Sequence, residues 1–121
     1  MEEKEGLAYL REHGIDADAG MRYADTCYEF YGQLISIFIE EYQEKRETAE
    51  KEAKKEGREY TVLVHGLKNN AKALGAFSLS ELAYEHEKAS KAGDGIYILE
   101  HLEELLTEWK KTVEIFKKIN N

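Results

Sequence analysis

Apolar residues recur along this chain every three or four positions, the period of one helix face. Phe30, Tyr31, Leu34, Phe38, Ile39 and Tyr42 make one stripe, and Leu99, Leu102, Leu106, Trp109, Val113 and Phe116 make another. Five helical segments are predicted. The first spans about Glu3 to His13, with Leu7, Ala8 and Leu10 as a weak apolar side and Gly14 as its stop. Asp16 then caps a short turn through Gly20 and Tyr23. The second opens at Thr26, with Glu29 at capping-box spacing, and carries the first stripe. That stripe fades to Ala49 and Ala53 in a Glu/Lys-rich half expected to protrude or fray into solvent before Gly57 stops it. The third spans about Arg58 to Ala76. The fourth opens at Ser78 and Glu81, again at capping-box spacing, carries Leu79, Leu82, Ala83 and Ala89, and ends at Gly93-Asp94-Gly95. The fifth spans about Ile96 to Ile119 and carries the second stripe. The β-branched run Thr61-Val62-Leu63-Val64 is short, and the helical spacing continues past it. Four substantial amphipathic helices with short connections predict an all-α fold. The expected architecture is an antiparallel up-down four-helix bundle with a short extra N-terminal helix, in a single domain over residues 1–121.

Composition agrees with this pattern. There is no proline, and 35% of residues are charged, many of them Glu and Lys, which lose little rotamer freedom in a helix. No apolar run approaches the roughly 20 residues that span a bilayer. The acidic start, Met1 to Glu5, is unlike a signal peptide. The one cysteine, Cys27, allows no internal disulfide. A cytoplasmic, soluble domain is expected, monomeric because the stripes suffice to fill one core. The net charge of -8 argues against nucleic-acid and anionic-membrane partners, which select basic surfaces.

The third segment carries the candidate chemistry. On a helical wheel, Leu63, Leu67 and Leu74 cluster on one side with Tyr60 and Ala71 beside them, which makes that side the core face. His65 falls almost opposite, among Thr61, Lys68, Asn69, Lys72 and Ala76. It is therefore expected to be exposed in mid-helix, beside two lysines and with no carboxylate among its neighbours. From Tyr60 to Ser80 there is no Asp or Glu, whereas an even spread of the 25 acids would put about four there. Neutral imidazole, with a reference pKa of about 6.5, is a nucleophile near neutral pH. Its attack on an acyl phosphate gives a phosphoramidate. The transferring group is strongly anionic, so ammonium groups stabilise it and a carboxylate opposes it.

The segment His65-Gly66-Leu67-Lys68-Asn69-Asn70-Ala71-Lys72-Ala73-Leu74-Gly75-Ala76 resembles the phosphorylation helix of histidine phosphotransfer (HPt) domains, of the bacterial hybrid-sensor-kinase type. His65, Leu67, Lys68, Ala71, Gly75 and Ala76 match the family pattern in register, and Leu79, Ala83 and Glu87 continue it. Upstream, Gly14-Ile15-Asp16 and Glu29-Phe30-Tyr31 through Phe38 resemble the entry and second helix of bacterial members. The resemblance implies a four-helix bundle. It also implies a phosphorelay carrier, not an enzyme with its own turnover. His65 would accept a phosphoryl group from a receiver-domain aspartate and pass it to another receiver, with Lys68 holding the phosphoryl oxygens. The partners implied are receiver domains of response regulators or of a hybrid sensor histidine kinase. The domain itself needs no cofactor, and Mg²⁺ belongs to the partner receiver. Thr61, Asn69, Lys72 and Ala76 would form the docking face, Lys72 assigned to it by geometry alone. Two positions depart from the pattern. Asn69 stands where the family often has Gly or Ser, to hydrogen-bond the phosphoryl group or to restrict which receivers fit. His86 stands where an apolar residue is usual. A different class of function keeps the bundle without phosphorylation: a helical interaction domain that regulates a receiver or kinase sterically.

Other groups carry weaker signals. His86 beside Glu85 and Glu87 lacks the second histidine four residues away that a zinc-protease helix needs, so a half-buried structural role is expected and no metal site. His101 and Glu104 share a helix face by ordinary spacing. His13 is expected to meet the last carbonyls of the first helix. Asn70 is expected to be a hydrogen-bonded structural residue, and Cys27 a partly buried thiol. Gly66 costs its helix roughly 1 kcal/mol relative to Ala, with clearance beside His65 as the only reason in view. No glycine-rich phosphate loop is present.

Overall fold

The computed structural model describes residues 1–55 and 57–120. They form six helices: α1 (Glu3–Glu12), α2 (Ala17–Tyr23), α3 (Tyr28–Ala53), α4 (Arg58–Ala73), α5 (Phe77–Lys91) and α6 (Gly95–Ile119). No strand occurs among the described residues. At the N-terminus there are two short helices where one was expected. The Glu2 carboxylate accepts the Lys4 and Glu5 backbone N–H groups and starts α1. Gly14, with φ of +85°, turns the chain out of it. The Asp16 carboxylate then accepts the Ala19 N–H at 3.0 Å, and what the sequence suggested as a turn is a second helix.

The capping box expected at Thr26 and Glu29 does not form. Asp25 and Thr26 both adopt left-handed backbone, and the Thr26 N–H donates back to the Met21 carbonyl at 2.7 Å. The cap therefore moves one residue along, to Cys27, whose Sγ accepts the Phe30 N–H. Cys27 is exposed, not partly buried.

The long helices pack in a ring: α3 against α4 and α6, and α5 against α4 and α6. The core holds Tyr31, Ile35 and Phe38 of α3, Val64 and Leu67 of α4, Leu79 and Ala83 of α5, and Leu105, Trp109 and Phe116 of α6. Removing this apolar surface from water, at about 25 cal/mol per Å², is the main stabilising contribution. Phe30 and Leu99 are exposed, so both stripes begin later than expected. Ala49 and Ala53 are buried, and α3 is helical to Ala53. The distal half of α3 docks instead of fraying, and its stripe faded only because alanines occupy the buried positions. Lys54, not Gly57, closes α3; Gly57 is the N-cap of α4. No described helix is long and apolar enough to cross a membrane.

The turn between α4 and α5 ties the site-bearing helices to the N-terminal segment. Gly75 has φ of +87°, and a Cβ there would collide with the Asp16 carbonyl oxygen. The Asp16 N–H donates to the Gly75 carbonyl at 2.9 Å, and the buried Tyr31 hydroxyl donates to the Leu74 carbonyl at 2.7 Å. Because the chain turns at Gly75, α4 ends before Ala76. That residue is buried at the start of α5, which corrects its assignment to the docking face. The box expected at Ser78 and Glu81 is also absent, since α5 begins at Phe77 without a side-chain cap.

Candidate functional site

Helix α4 buries Tyr60, Val64, Leu67 and Ala71, and this turns His65 outward. Its side chain is 52% exposed. The wheel placed it correctly, but not all of its neighbours. Glu87 reaches across from α5 to lie against the ring, with Nδ1 to Oε2 at 2.5 Å. Lys68 donates to the other oxygen of that carboxylate at 2.7 Å, and the Lys91 ammonium lies 3.3 Å from Oε2. The expectation of no carboxylate at His65 is thus corrected. The acid-free stretch from Tyr60 to Ser80 is real in the sequence, but the acid comes from the next helix.

Glu87 is 2% exposed. Burial alone would push its carboxyl up, but hydrogen bonds from Lys68, His65 and Lys91 overcome it and hold it at about 2. The group is therefore a carboxylate, which only accepts, so the His65 proton sits on Nδ1. On the other side of the ring, the Asn69 amide nitrogen lies 3.1 Å from Nε2. An amide nitrogen only donates, so Nε2 carries the lone pair. The two contacts agree on one neutral tautomer, with its nucleophilic nitrogen directed away from α5.

Further contacts hold α4 and α5 in register around the site. The Ser80 hydroxyl donates to the Lys68 carbonyl at 2.9 Å, and the Thr61 and Ser90 hydroxyls share a hydrogen bond of 2.5 Å. Thr61 is thus half-buried and engaged, not a free docking residue. The Lys68 and Lys88 ammonium groups lie 5.4 and 4.8 Å from the ring centre of Tyr84, near enough for cation–π attraction. Lys72 and Asn69 are exposed, as expected. In the sequence Glu87 stood out as a pattern position and as a neighbour of His86, never as a partner of His65, and Lys91 not at all. One signal was available: Leu79, Ala83 and Glu87 follow one another every four residues, which puts an acid on the buried row of α5.

The remaining candidates are structural. His86 is buried, accepting the Tyr60 hydroxyl proton at Nδ1 (2.7 Å) and donating from Nε2 to the His101 carbonyl (3.0 Å). Desolvation lowers its pKa. The His101 ring lies 3.5 Å from the Glu104 carboxylate, and His13 Nδ1 bonds the Tyr9 carbonyl at 2.8 Å. Asn70 is exposed and donates to Glu41 at 2.9 Å. Among the described residues no cluster of His, Cys, Asp and Glu could hold a metal ion. Between α3 and α4, Tyr23, Ile37, Asn70 and Ala73 line a groove, with Tyr23 and Ile37 largely exposed. Gly66 lies next to His65, and a Cβ there would meet nothing within 4 Å.

No family model, curated protein or solved structure matches this chain.

Proposed function

We propose that this chain is a histidine phosphotransfer carrier, with His65 as its phosphoacceptor. The observation that carries the reading is the pairing of an exposed imidazole with a buried carboxylate that holds the proton on Nδ1 and leaves the lone pair on Nε2. In the proposed step Nε2 attacks the phosphorus of a receiver's aspartyl phosphate. The P–O bond breaks, the aspartate leaves as its carboxylate, and the ring becomes a phosphorylated imidazolium. Glu87 faces the positive charge that develops on that ring, and its stabilisation grows as the N–P bond forms. Lys68 and Lys91 both contact Glu87, and in this reading their ammonium groups turn toward the phosphoryl oxygens. The reading takes α3 to α6 as an antiparallel four-helix bundle in a monomeric cytoplasmic domain. Its partners are receivers, which supply the Mg²⁺ and the aspartate.

A small donor tests this. Phosphoramidate should add one acid-labile phosphoryl group, seen by intact mass, and His65→Gln should take up none while keeping its helical circular dichroism. Equal labelling of the variant would move the acceptor elsewhere. One observation favours a second reading, a bundle that regulates a receiver sterically without being phosphorylated: the Nε2 lone pair is occupied by Asn69. In that case His65→Gln would bind a receiver as tightly as the original chain, and neither would be labelled.

A further inference from the structure

His65 and Asn69 are four residues apart on α4, so their side chains stand one above the other on the same face. Within this pair the amide nitrogen lies 3.1 Å from Nε2. The neutral ring has one lone pair, in its plane, and the bond to any electrophile must form along it. A donor seated there both blocks that line and draws electron density from the nitrogen. Nothing buries this pair, since Asn69 is exposed and His65 half so. It is a cap that can be lifted.

We propose that Asn69 is a positioning residue that caps the reacting nitrogen and thereby selects against small phosphodonors, a proposal that rests on His65 being the nucleophile. A small acyl phosphate or phosphoramidate must displace the amide and gives it nothing in return. A docked protein can present a backbone carbonyl or carboxylate oxygen to the displaced amide, which then exchanges its hydrogen bond to Nε2 for one to the partner. An exposed neutral hydrogen bond of this kind slows a reaction that must break it by about three- to tenfold. A Gly or Ala at this position would leave the lone pair free.

The test separates the cap from the phosphoryl chemistry by using a second electrophile. Diethylpyrocarbonate acylates neutral imidazole: the ring nitrogen attacks a carbonyl, ethyl carbonate leaves, and the ring proton passes to water. Its rate at His65, read by peptide mass against exposed His13 in the same digest, reports access to the lone pair whatever the biological role. Asn69→Ala should raise His65 acylation about three- to tenfold and phosphoramidate labelling by a similar factor. Asn69→Asp keeps the shape but only accepts, so Nε2 meets it by carrying a proton, and both reactions should slow below the original chain. Imidazole ¹⁵N shifts should show Nε2 bare in the original chain. Unchanged acylation in Asn69→Ala, faster acylation in Asn69→Asp, or a protonated Nε2 would each overturn the cap. If acylation responds as expected but no form takes up acid-labile phosphate, the cap stands and the carrier reading fails.

Discussion

A carboxyl group as buried as Glu87 ordinarily sheds its charge, and this one keeps it because three donors converge on its two oxygens. Two substitutions separate what it contributes. On the carrier reading, Glu87→Gln, which can still accept from Nδ1 but brings no charge, is expected to slow phosphorylation of His65 about tenfold, and Glu87→Leu, which loses both, about a hundredfold. Equal rates in the two variants would mean that the hydrogen bond contributes nothing, and a Glu87→Gln rate equal to that of the original chain would mean the same of the charge. The same group shapes acid stability. Unfolded, Glu87 titrates near 4.5; folded, at about 2. Between those values the unfolded chain binds more protons, so the stability due to this group is full above pH 4.5 and lost as pH falls toward 2. His86 acts in the same direction at higher pH: its folded pKa lies below 6.5, so stability declines as pH drops below that value. Urea titrations across pH should show Glu87→Gln flattening the lower window and His86→Gln the upper. The exposure of His65 and the nearness of Lys68 and Asn69 were legible because all three lie on one helix. Glu87 and Lys91 were not, because a wheel treats one helix at a time and the site straddles two.

At the scale of elements, the apolar period located every long helix but misjudged how several begin and end. Thr26–Glu29 and Ser78–Glu81 have capping-box spacing, yet backbone turns at Asp25–Thr26 and at Gly75 decide where α3 and α5 start. The turn at Gly75 is held by contacts distant in sequence, Asp16 with Gly75 and Tyr31 with Leu74, and no local spacing records them. Gly75 is where this is most exposed to test. Gly75→Ala meets both a left-handed backbone and the Asp16 carbonyl, and should cost about 2–4 kcal/mol by urea denaturation. A cost under about 0.5 kcal/mol would show that the turn can open without consequence.

At the scale of the molecule, the ring of α3 to α6 provides a rigid wall on which the exposed histidine stands, and the N-terminal helices brace one end of it. Packing around Ala49 and Ala53 closes the other end, a region whose polar sequence suggested solvent. The groove bearing Tyr23 and Ile37 lies on the α3 side of α4.

Gly66 carries a lesson for anyone seeking to harden this protein against heat. Every local criterion recommends replacing it: it sits inside a helix, at a backbone any residue adopts, with open space where a methyl would go. Gly66→Ala should raise unfolding free energy by about 0.5–1 kcal/mol. On the carrier reading a partner's backbone passes over that bare stretch of helix, and the sturdier protein is then the poorer messenger. Transfer from a receiver would fall while labelling by phosphoramidate stays the same, and equal transfer in both proteins would show that the gap serves no visitor.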